Sequence, residues 1–465
     1  MVWTEKDQKD HRKEKIRVLT LIHYLFLIIS LSLGCAPISS HYLLVESKIS
    51  EHAYSDADAI IEKNKENYGK RNAVLYYMDR GMTLHLAGRY RESNNAIFRA
   101  EEIIDRLYTK SISTEGSAML TNDNMLPYEG EDFEKVMLNV IAALNYVYMG
   151  EWEDALVEAR KVDHKLNLYN DRYTQKNIYK EDAFARYLSG ILYESQGELN
   201  DAFISYRKAY ETFRVYKRDY GTPIPSMIVG DLLRITDALG LIEEHREYEE
   251  EFPDTSWDSY KEFKEKGEII FVSYNGKSPV KVDYFINAPV PDGSGGTYLL
   301  NIALPKFVVK ESEITESKIY LKRDDETKKI EKDAYLVEDI SAIAVKNLED
   351  RIARISAKAI ARATAKYIAA RKLRKKAAKK NDPLITFITD ISTNIYSIIT
   401  EQADKRSWRT LPAEIYLGRI AVPPGKYEVE AVYISKKGNI VERKKLTSIS
   451  LGKGEKRFLS YRILR

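Results

Sequence analysis

"YYMDRGMTLHLAGRYRESNNAIFRAEEII", residues 76–104, decides how the first half of this 465-residue chain is read. It sets Gly81, Gly88, Tyr90, Ser93 and Ala100 at relative positions 8, 15, 17, 20 and 27 of one unit. Two later stretches carry the same spacing. "NVIAALNYVYMGEWEDALVEARKV" (139–162) aligns Ala143, Gly150, Trp152, Ala155 and Val162. "ARYLSGILYESQGELNDAFISYRKAY" (185–210) aligns Gly190, Gly197, Leu199, Ala202 and Ala209. Small residues at 8 and 20 let two antiparallel helices approach closely. A glycine at 15 ends the first helix in the left-handed conformation. The aromatic near 17 restarts packing, and the small residue at 27 seats the next unit.

Three matches in phase identify tetratricopeptide (TPR)-like helix pairs. They are not tandem: Gly81 to Ala143 is 62 residues and Ala143 to Gly190 is 47, against a usual period of about 34. The first insertion holds "TNDNMLPYEGEDF" (121–133), expected as an ordered loop or short helix. Residues 226–252 read as a degenerate pair closing the stack, since one face of a terminal repeat meets water. The helical half is placed at 51–255.

Near residue 253 the period changes. "EIIFVSYNGKSPVKVDYFIN" (268–287) reads as two strands around an Asn275-Gly276 turn, and several further short strands with Gly and Pro punctuation follow. The expected class is α+β and multidomain: an N-terminal TPR-like α-solenoid, then a β-sandwich-like domain carrying an inserted long basic helix. The sandwich occupies 256–335 and 403–465, and the helical insertion 336–402. That insertion includes a second apolar segment, "PLITFITDISTNIYSIITEQ", from Pro383.

The N-terminus carries six basic and four acidic residues by residue 17, then "VLTLIHYLFLIISLSLG" (18–34) and the chain's one cysteine, Cys35. A charged region, an apolar run and small residues before a cut are the layout of a signal peptide. Gly34-Cys35 is similar to a bacterial lipobox, although Ser32 stands where Leu is usual. We expect a lipoprotein signal peptide over 1–34, lipid attachment at Cys35 and a tether over 35–50. Ala36 resembles the residue that follows the cysteine in outer-membrane lipoproteins, which places the chain in the envelope, facing the periplasm. Loss of residues 1–34 lowers the net charge from +3 to +1 (three, less six basic, plus four acidic). A nearly neutral chain is no nucleic-acid binder by bulk charge.

The seven histidines all precede residue 246, and no second cysteine exists, so a Cys/His zinc site and a His-based triad in the strand half are excluded. No phosphate-binding glycine loop or metalloprotease motif is present, and "DGSGG" (292–296) lies between strands. No cofactor or metal is expected. His85 sits on a repeat helix and reads as a packing residue. Glu129, Glu131, Asp132 and Glu134 are the nearest thing to paired carboxylates, and are expected to be solvated. The most unusual feature is the basic helix, with twelve Lys or Arg and no acid over 351–381. Arg351, Arg354, Lys358, Arg362 and Lys366 form one cationic stripe beside an apolar face. Such a helix can lie on anionic lipid, on an acidic partner or on the phosphates of an envelope polymer; the plainer reading packs it on the sandwich with its charges solvated. In "ADKRSWRTLP" (403–412), Asp404, Arg406, Trp408 and Arg409 set opposite charges around an indole. An Arg stacked on Trp408 would lock the insertion onto the sandwich, and a ligand-facing platform is the alternative.

With these residues in view, the chain resembles a family of bacterial TPR-containing lipoproteins to which no reaction is assigned. The resembling stretches are "YYMDRGMTLHLAGRYRESN", "TNDNMLPYEGEDFEKVMLN", "GKSPVKVDYFI" with "IALPKF", "VEDISAIA" and "EQADKRSWRTLPAEIYLGRIAVPPGKY", spread over about 70–430. The resemblance implies a place beside lipoproteins that activate penicillin-binding proteins, around peptidoglycan synthesis, and it carries over no catalytic residue. Function is therefore expected as a non-enzymatic scaffold whose concave helical face binds a segment of an envelope protein. The alternatives are a carboxylate-based glycan-acting or glycan-binding module, and an anionic-lipid-binding module through helix 351–380.

Overall fold

The computed structural model describes residues 41–118, 123–172, 179, 181–291, 297–324, 329–378 and 403–465. The segment expected as a signal peptide, Cys35, the "DGSGG" stretch and residues 379–402 lie outside the described residues. No helix among the described residues is long and apolar enough to cross a membrane.

The described residues open with three short helices, α1 (Tyr42–Ser50), α2 (Tyr54–Lys63) and α3 (Lys65–Tyr68). The tether expected to reach residue 50 is thus helical from Tyr42. Tyr42, Val45 and Ile49 recur at helical spacing and bury themselves on the stack. Four helix pairs follow: α4 (Ala73–Leu86) with α5 (Tyr90–Ala118), α6 (Asp132–Met149) with α7 (Trp152–Arg172), α8 (Ala183–Gln196) with α9 (Leu199–Asp219), and α10 (Ser226–Leu239) with α11 (Ile242–Glu251). The helical half is built of TPR-like pairs. Gly190 has its missing Cβ only 2.4 Å from a Tyr206 ring carbon, so α8 and α9 touch where a side chain would not fit. Gly150 ends α6 at φ 77°, and the amide of Glu151 reaches back to the Tyr146 carbonyl at 2.9 Å. Ser93 donates to the Gly81 carbonyl at 2.7 Å, and Ala143, Ala155, Ala202 and Ala209 are fully buried.

After α12 (Tyr260–Glu265), the strand half runs β1 (Gly267–Asn275), β2 (Val280–Pro291), β3 (Thr297–Val308), β4 (Ile314–Arg323), β5 (Lys329–Asp339), α13 (Ile340–Ala378), β6 (Glu414–Val422), β7 (Gly425–Ser435), β8 (Ile440–Leu451) and β9 (Lys456–Ile463). Seven strands join one sheet in the order β8-β7-β4-β5-β6-β1-β9, antiparallel except for the β1–β9 pair. Two separate sheets were expected; instead β5 belongs to both layers. Its residues 329–334 pair with β4 and its residues 335–339 with β6, with a register shift between Leu336 and Glu338. A strand that changes partner at a bulge makes the corner of a folded sheet. The layers meet face to face, with Phe271, Ile319, Leu321, Val429 and Ile463 between them and Tyr433 of β7 within 2.9 Å of Ser273 of β1.

The hairpin expected around Asn275-Gly276 does not form. β1 takes β6 and β9 as neighbours, while β2 and β3 leave the sheet as a two-stranded ribbon. Asn275 is held on the sheet side by Ser273 (2.6 Å) and Ser317 (3.1 Å), and its carbonyl takes the Ala413 amide. An isolated ribbon is marginal in water. Here Ala288, Ile302 and Leu304 pack against Ala359 and Ala363 of α13. That helix starts at Ile340 rather than 336 because β5 continues to Asp339, whose carboxylate accepts the Ala342 amide at 2.8 Å.

Every residue of β1 is buried. One face (Ile269, Phe271) fills the space between the sheet layers; the other (Ile270, Val272, Tyr274) joins the helical core with Ile415, Leu417 and Phe458. The first helix of each pair supplies polar partners to the strand half: His85 to Tyr274, Glu134 to Trp408, and Glu194 and Asp231 to Arg419. The expectation that this face receives a partner segment is corrected, because the chain's own sheet covers it.

Candidate interaction site

The loop 126–131, the start of α6, the segment 403–413 and α13 converge on one junction. Glu131 and Glu134 form a reciprocal capping box at the α6 N-terminus. Glu134 is spent on structure: it accepts the Trp408 amide at 2.6 Å, the Tyr128 hydroxyl at 2.6 Å and the Glu131 amide at 2.8 Å. Burial, reinforced by the Glu131 charge, pushes its carboxyl up to about 7. Burial also raises Glu131, but the Arg351 and Lys281 charges prevail and hold it well below the usual carboxylate range. The acids expected to be solvated are therefore locked: Asp132 and Glu134 are buried, and Glu131 pairs with both Lys281 and Arg351.

Trp408 is fully buried, and its indole N–H donates to Thr410 at 2.9 Å. Thr410 donates in turn to Asp79, 2.9 Å away, whose other oxygen accepts from Tyr42 (2.5 Å) and Tyr68 (2.9 Å). Burial lifts Asp79 to about 6. Neither flanking arginine stacks on the indole, contrary to expectation. Arg406 lies over Tyr128 (5.1 Å) and chelates Asp404, while Arg409 lies over Tyr42 (4.4 Å) and pairs with Glu46 at 3.0 Å. Tyr128 and Tyr42 belong to the helical half, so this segment ties the strands to the stack rather than the insertion to the sandwich.

A cleft of about 310 Å³ opens beside this lock. Arg351, Lys358 and Arg362 line it from α13, Lys281 from β2 and Arg406 from the 403–413 segment. The cationic stripe does not share one environment: Arg351 and Lys358 are half-buried, Arg362 is only 5 % exposed, and Arg354 is exposed. The Lys366 side chain lies outside the described residues. Among the described residues Arg362, next to the alanine that α13 presses onto the ribbon, is the one charge of the stripe that is buried.

Sequence reasoning missed a second buried cluster, between α8, α10 and the β1–β6–β9 layer. Arg419 reaches Asp231 (2.5 Å), Glu268 (2.6 Å) and Glu194 (3.4 Å). Arg234 reaches Glu194 (2.7 Å) and Asp231 (2.5 Å), and Lys456 pairs with Glu268. Three carboxylates thus meet three cations. Burial opposes ionisation of Glu194, but Arg234, Lys456 and Arg419 hold it far below the usual range. The signal was present: Arg419 interrupts "EIYLGRIAV", and Asp231 and Arg234 sit three apart in "SMIVGDLLRIT". A charge on an apolar face implies a buried partner.

His85 is buried between Asn145 (2.6 Å) and Tyr274 (2.8 Å), and burial lowers it to about 4, which fits a packing histidine. Among the described residues no group of three metal-ligating side chains exists. A cavity of about 490 Å³ contains Asp339 and Glu414, cross-strand neighbours on β5 and β6. Burial raises both carboxyls, Glu414 to about 7 with the Asp339 charge adding to it. A further cavity, about 890 Å³, runs past Trp152, which meets Phe458 edge-on at 5.9 Å.

No family model matches the chain, and no curated protein matches it. Among solved structures it is similar to the apo form of RapI, at 14 % identity and TM-score 0.35 over 51 % of this chain and 61 % of that one. It is also similar to aspartyl phosphate phosphatase F from Bacillus subtilis, at 14 % identity and TM-score 0.33 over 54 % of this chain and 55 % of that one. A Podosopora anserina kinesin light chain with nearly identical TPR-like repeats gives 14 % and 0.27, over 46 % and 91 %. The chain thus spans less than two thirds of the first two relatives, and the helix-pair assignment rests on its own glycine spacing and packing.

Proposed function

We propose that the protein is an envelope lipoprotein, anchored through Cys35, that acts as a scaffold for an envelope protein partner. The observation that carries this reading is where apolar surface is left over. The helical face is filled by the chain's own strands, whereas the ribbon exposes Tyr284 (53 %), Phe285 (60 %) and Leu299 (62 %). Large aromatic and aliphatic side chains held out on a paired ribbon favour a protein contact. Among the described residues neither outer edge of the ribbon is paired, which suits an extended segment of the partner adding to it. The anchor and the periplasmic setting rest on the Gly34-Cys35 pattern, and the role in envelope assembly on the family resemblance.

The test is in-cell crosslinking and mass spectrometry of the full chain beside Cys35→Ser and Phe285→Glu/Leu299→Glu variants. A recurrent envelope protein that is captured by the parent and lost from the ribbon variant, at unchanged thermal stability, supports the scaffold. Capture that ignores the ribbon substitutions overturns it. A second reading is favoured by the Asp339–Glu414 pair, whose raised carboxyls could serve proton transfer on a glycan. Release of soluble fragments from peptidoglycan that stops in Glu414→Gln would move the assignment there.

A further inference from the structure

β9 (Lys456–Ile463) is the last strand of its sheet, with β1 on one side and no strand among the described residues on the other. In a parallel pair, successive residues turn their amide and carbonyl to opposite sides. The Glu455 carbonyl takes the Glu268 amide at 2.8 Å and the Ile463 carbonyl takes the Gly276 amide at 2.9 Å, so the odd-numbered residues face β1. Lys456, Phe458 and Ser460 therefore turn their backbone groups outward. Such an edge is a template for another chain, and backbone groups withdrawn from water require partners. Its far end is covered, since the Tyr461 hydroxyl meets His52 at 2.7 Å and Glu442 at 2.5 Å. Its near end opens on the cavity of about 890 Å³, which is walled by residues 454–458, the α6–α7 turn over 147–154, and Ser195 and Gln196 at the end of α8.

The groove has an aromatic floor and an acidic rim. Trp152 is half-buried and rests on the buried Phe458. The cations of the wall are matched, Lys456 by Glu268 and Arg457 by Glu455 at 2.5 Å, and Glu151 is matched by Arg91 at 2.6 Å. Glu153 and Asp154 are exposed and make no ion pair among the described residues. We propose that this groove receives an extended, lysine- or arginine-bearing segment of a protein partner, which adds as a strand to the outer edge of β9. Main-chain bonds to Lys456, Phe458 and Ser460 hold the segment, and its side chains select it. An apolar side chain covers Trp152, and a basic one beside it answers Glu153 and Asp154. From Lys456 to Ser460 the edge runs about 13 Å at roughly 3.3 Å per residue, enough for four or five residues of an added strand. The contact shares no residue with the ribbon, so it goes beyond the scaffold reading and fails or stands apart from it.

The probe is a fluorophore-labelled peptide of alternating lysine and valine, titrated by fluorescence anisotropy against the full chain in non-ionic detergent. A glutamate–valine peptide is run beside it, with lysine–valine peptides N-methylated on one or the other alternate set of amides. Glu153→Lys/Asp154→Lys changes two exposed side chains, and its thermal midpoint checks that the fold is kept; the methylation arm needs no variant. Saturable binding of the lysine peptide supports the site when it weakens about tenfold or more in the variant and is abolished by methylation of one alternate set but not the other, because only one set faces the neighbouring strand. Absence of saturable binding, equal binding of the glutamate peptide, or binding indifferent to the variant or to both methylations overturns the proposal. Sedimentation of the parent is the remaining arm. A dimer that the lysine peptide disperses gives the edge to a second copy of this chain and overturns the assignment to another protein.

Discussion

Replacing Arg419 by methionine keeps the volume and removes the charge at the centre of the balanced cluster. Arg419 lies 2.5 Å from Asp231, 2.6 Å from Glu268, 3.4 Å from Glu194 and 3.1 Å from the Tyr187 hydroxyl. Its loss leaves three carboxylates with two cations, and breaking a buried pair from one side costs about 3–5 kcal/mol. The structure also sets a ceiling. The chain can escape an unmatched carboxylate by protonating it, and for Glu268, whose ordinary value is 4.5, that costs about 2.5 units at pH 7, or roughly 3.4 kcal/mol at 1.36 per unit. At pH 5.5 the same escape costs only about 1.4 kcal/mol. Arg419→Met should therefore destabilise by about 3–4 kcal/mol at pH 7 and by roughly half that or less at pH 5.5. Denaturant unfolding followed by far-ultraviolet circular dichroism and tryptophan fluorescence measures both. The two signals should move together, because the cluster ties helices to strands. Added salt should not rescue the variant, since a dry cluster is poorly screened. A loss below about 1 kcal/mol, or an equal loss at both pH values, would refute the argument that these charges are buried and mutually dependent.

Three more outcomes follow from the same geometry. Glu134, Glu414 and Asp79 are raised by burial to about 7, 7 and 6, so the folded chain holds protons there that the unfolded chain releases. Their contribution is present below about pH 4.5 and is lost as pH rises through 6–7. Glu131, Glu194 and Glu268, held low by their cation partners, act in the opposite sense, and their contribution is lost as pH falls below about 4.5. Thermal midpoints should peak in mildly acidic buffer, and Glu134→Gln should flatten the decline towards pH 8. Gly190→Ala drives a methyl into the Tyr206 ring carbon 2.4 Å from the ideal Cβ and should cost about 1–3 kcal/mol, read from the denaturation midpoint. Trp408→Ala empties a fully buried site and strands the Thr410 contact, which should cost about 3–5 kcal/mol by the same assay.

What could be read from the linear chain was whatever depended on near neighbours. The glycines at 81, 150, 190 and 197 act within one helix pair, so their spacing reports a local contact. The change of period near 253 and the basic run over 351–381 are equally local. The partners of β1 were not legible, because they lie some 140 to 190 residues downstream at β6 and β9, and an Asn-Gly turn offered a nearer and wrong alternative. One clue was underused. "EIIFVSYN" is almost continuously apolar rather than alternating, the mark of a strand buried on both faces, and a strand of that kind needs a layer on each side. The interaction residues divide likewise. Arg351, Lys358, Arg362 and Arg406 stood out as an excess of charge, but that they share a cleft depends on β2, whose Lys281 gave no signal in a strand of ordinary composition. Arg406 and Arg409 stood out beside Trp408 as a motif, and only the positions of Tyr128 and Tyr42, hundreds of residues away, determine what each arginine stacks upon.

The parallel β1–β9 pair has a consequence for how the chain comes to be made. β1 is the middle of the layer that covers the helices, yet its far neighbour, β9, follows some 190 residues later in the chain. A chain emerging N-terminus first completes all four helix pairs before it has the strands that cap them, so Val272, Tyr274 and the helix residues they meet stay wet until β6 and β9 arrive. Contacts of such long sequence separation pay their loop-closure entropy late, which slows folding and leaves an apolar half-structure open to association. A chain terminated at residue 453 would lack β9 altogether. It would also lack Lys456, so the helix-facing layer would lose a strand and its ion-pair lock a cation in one step.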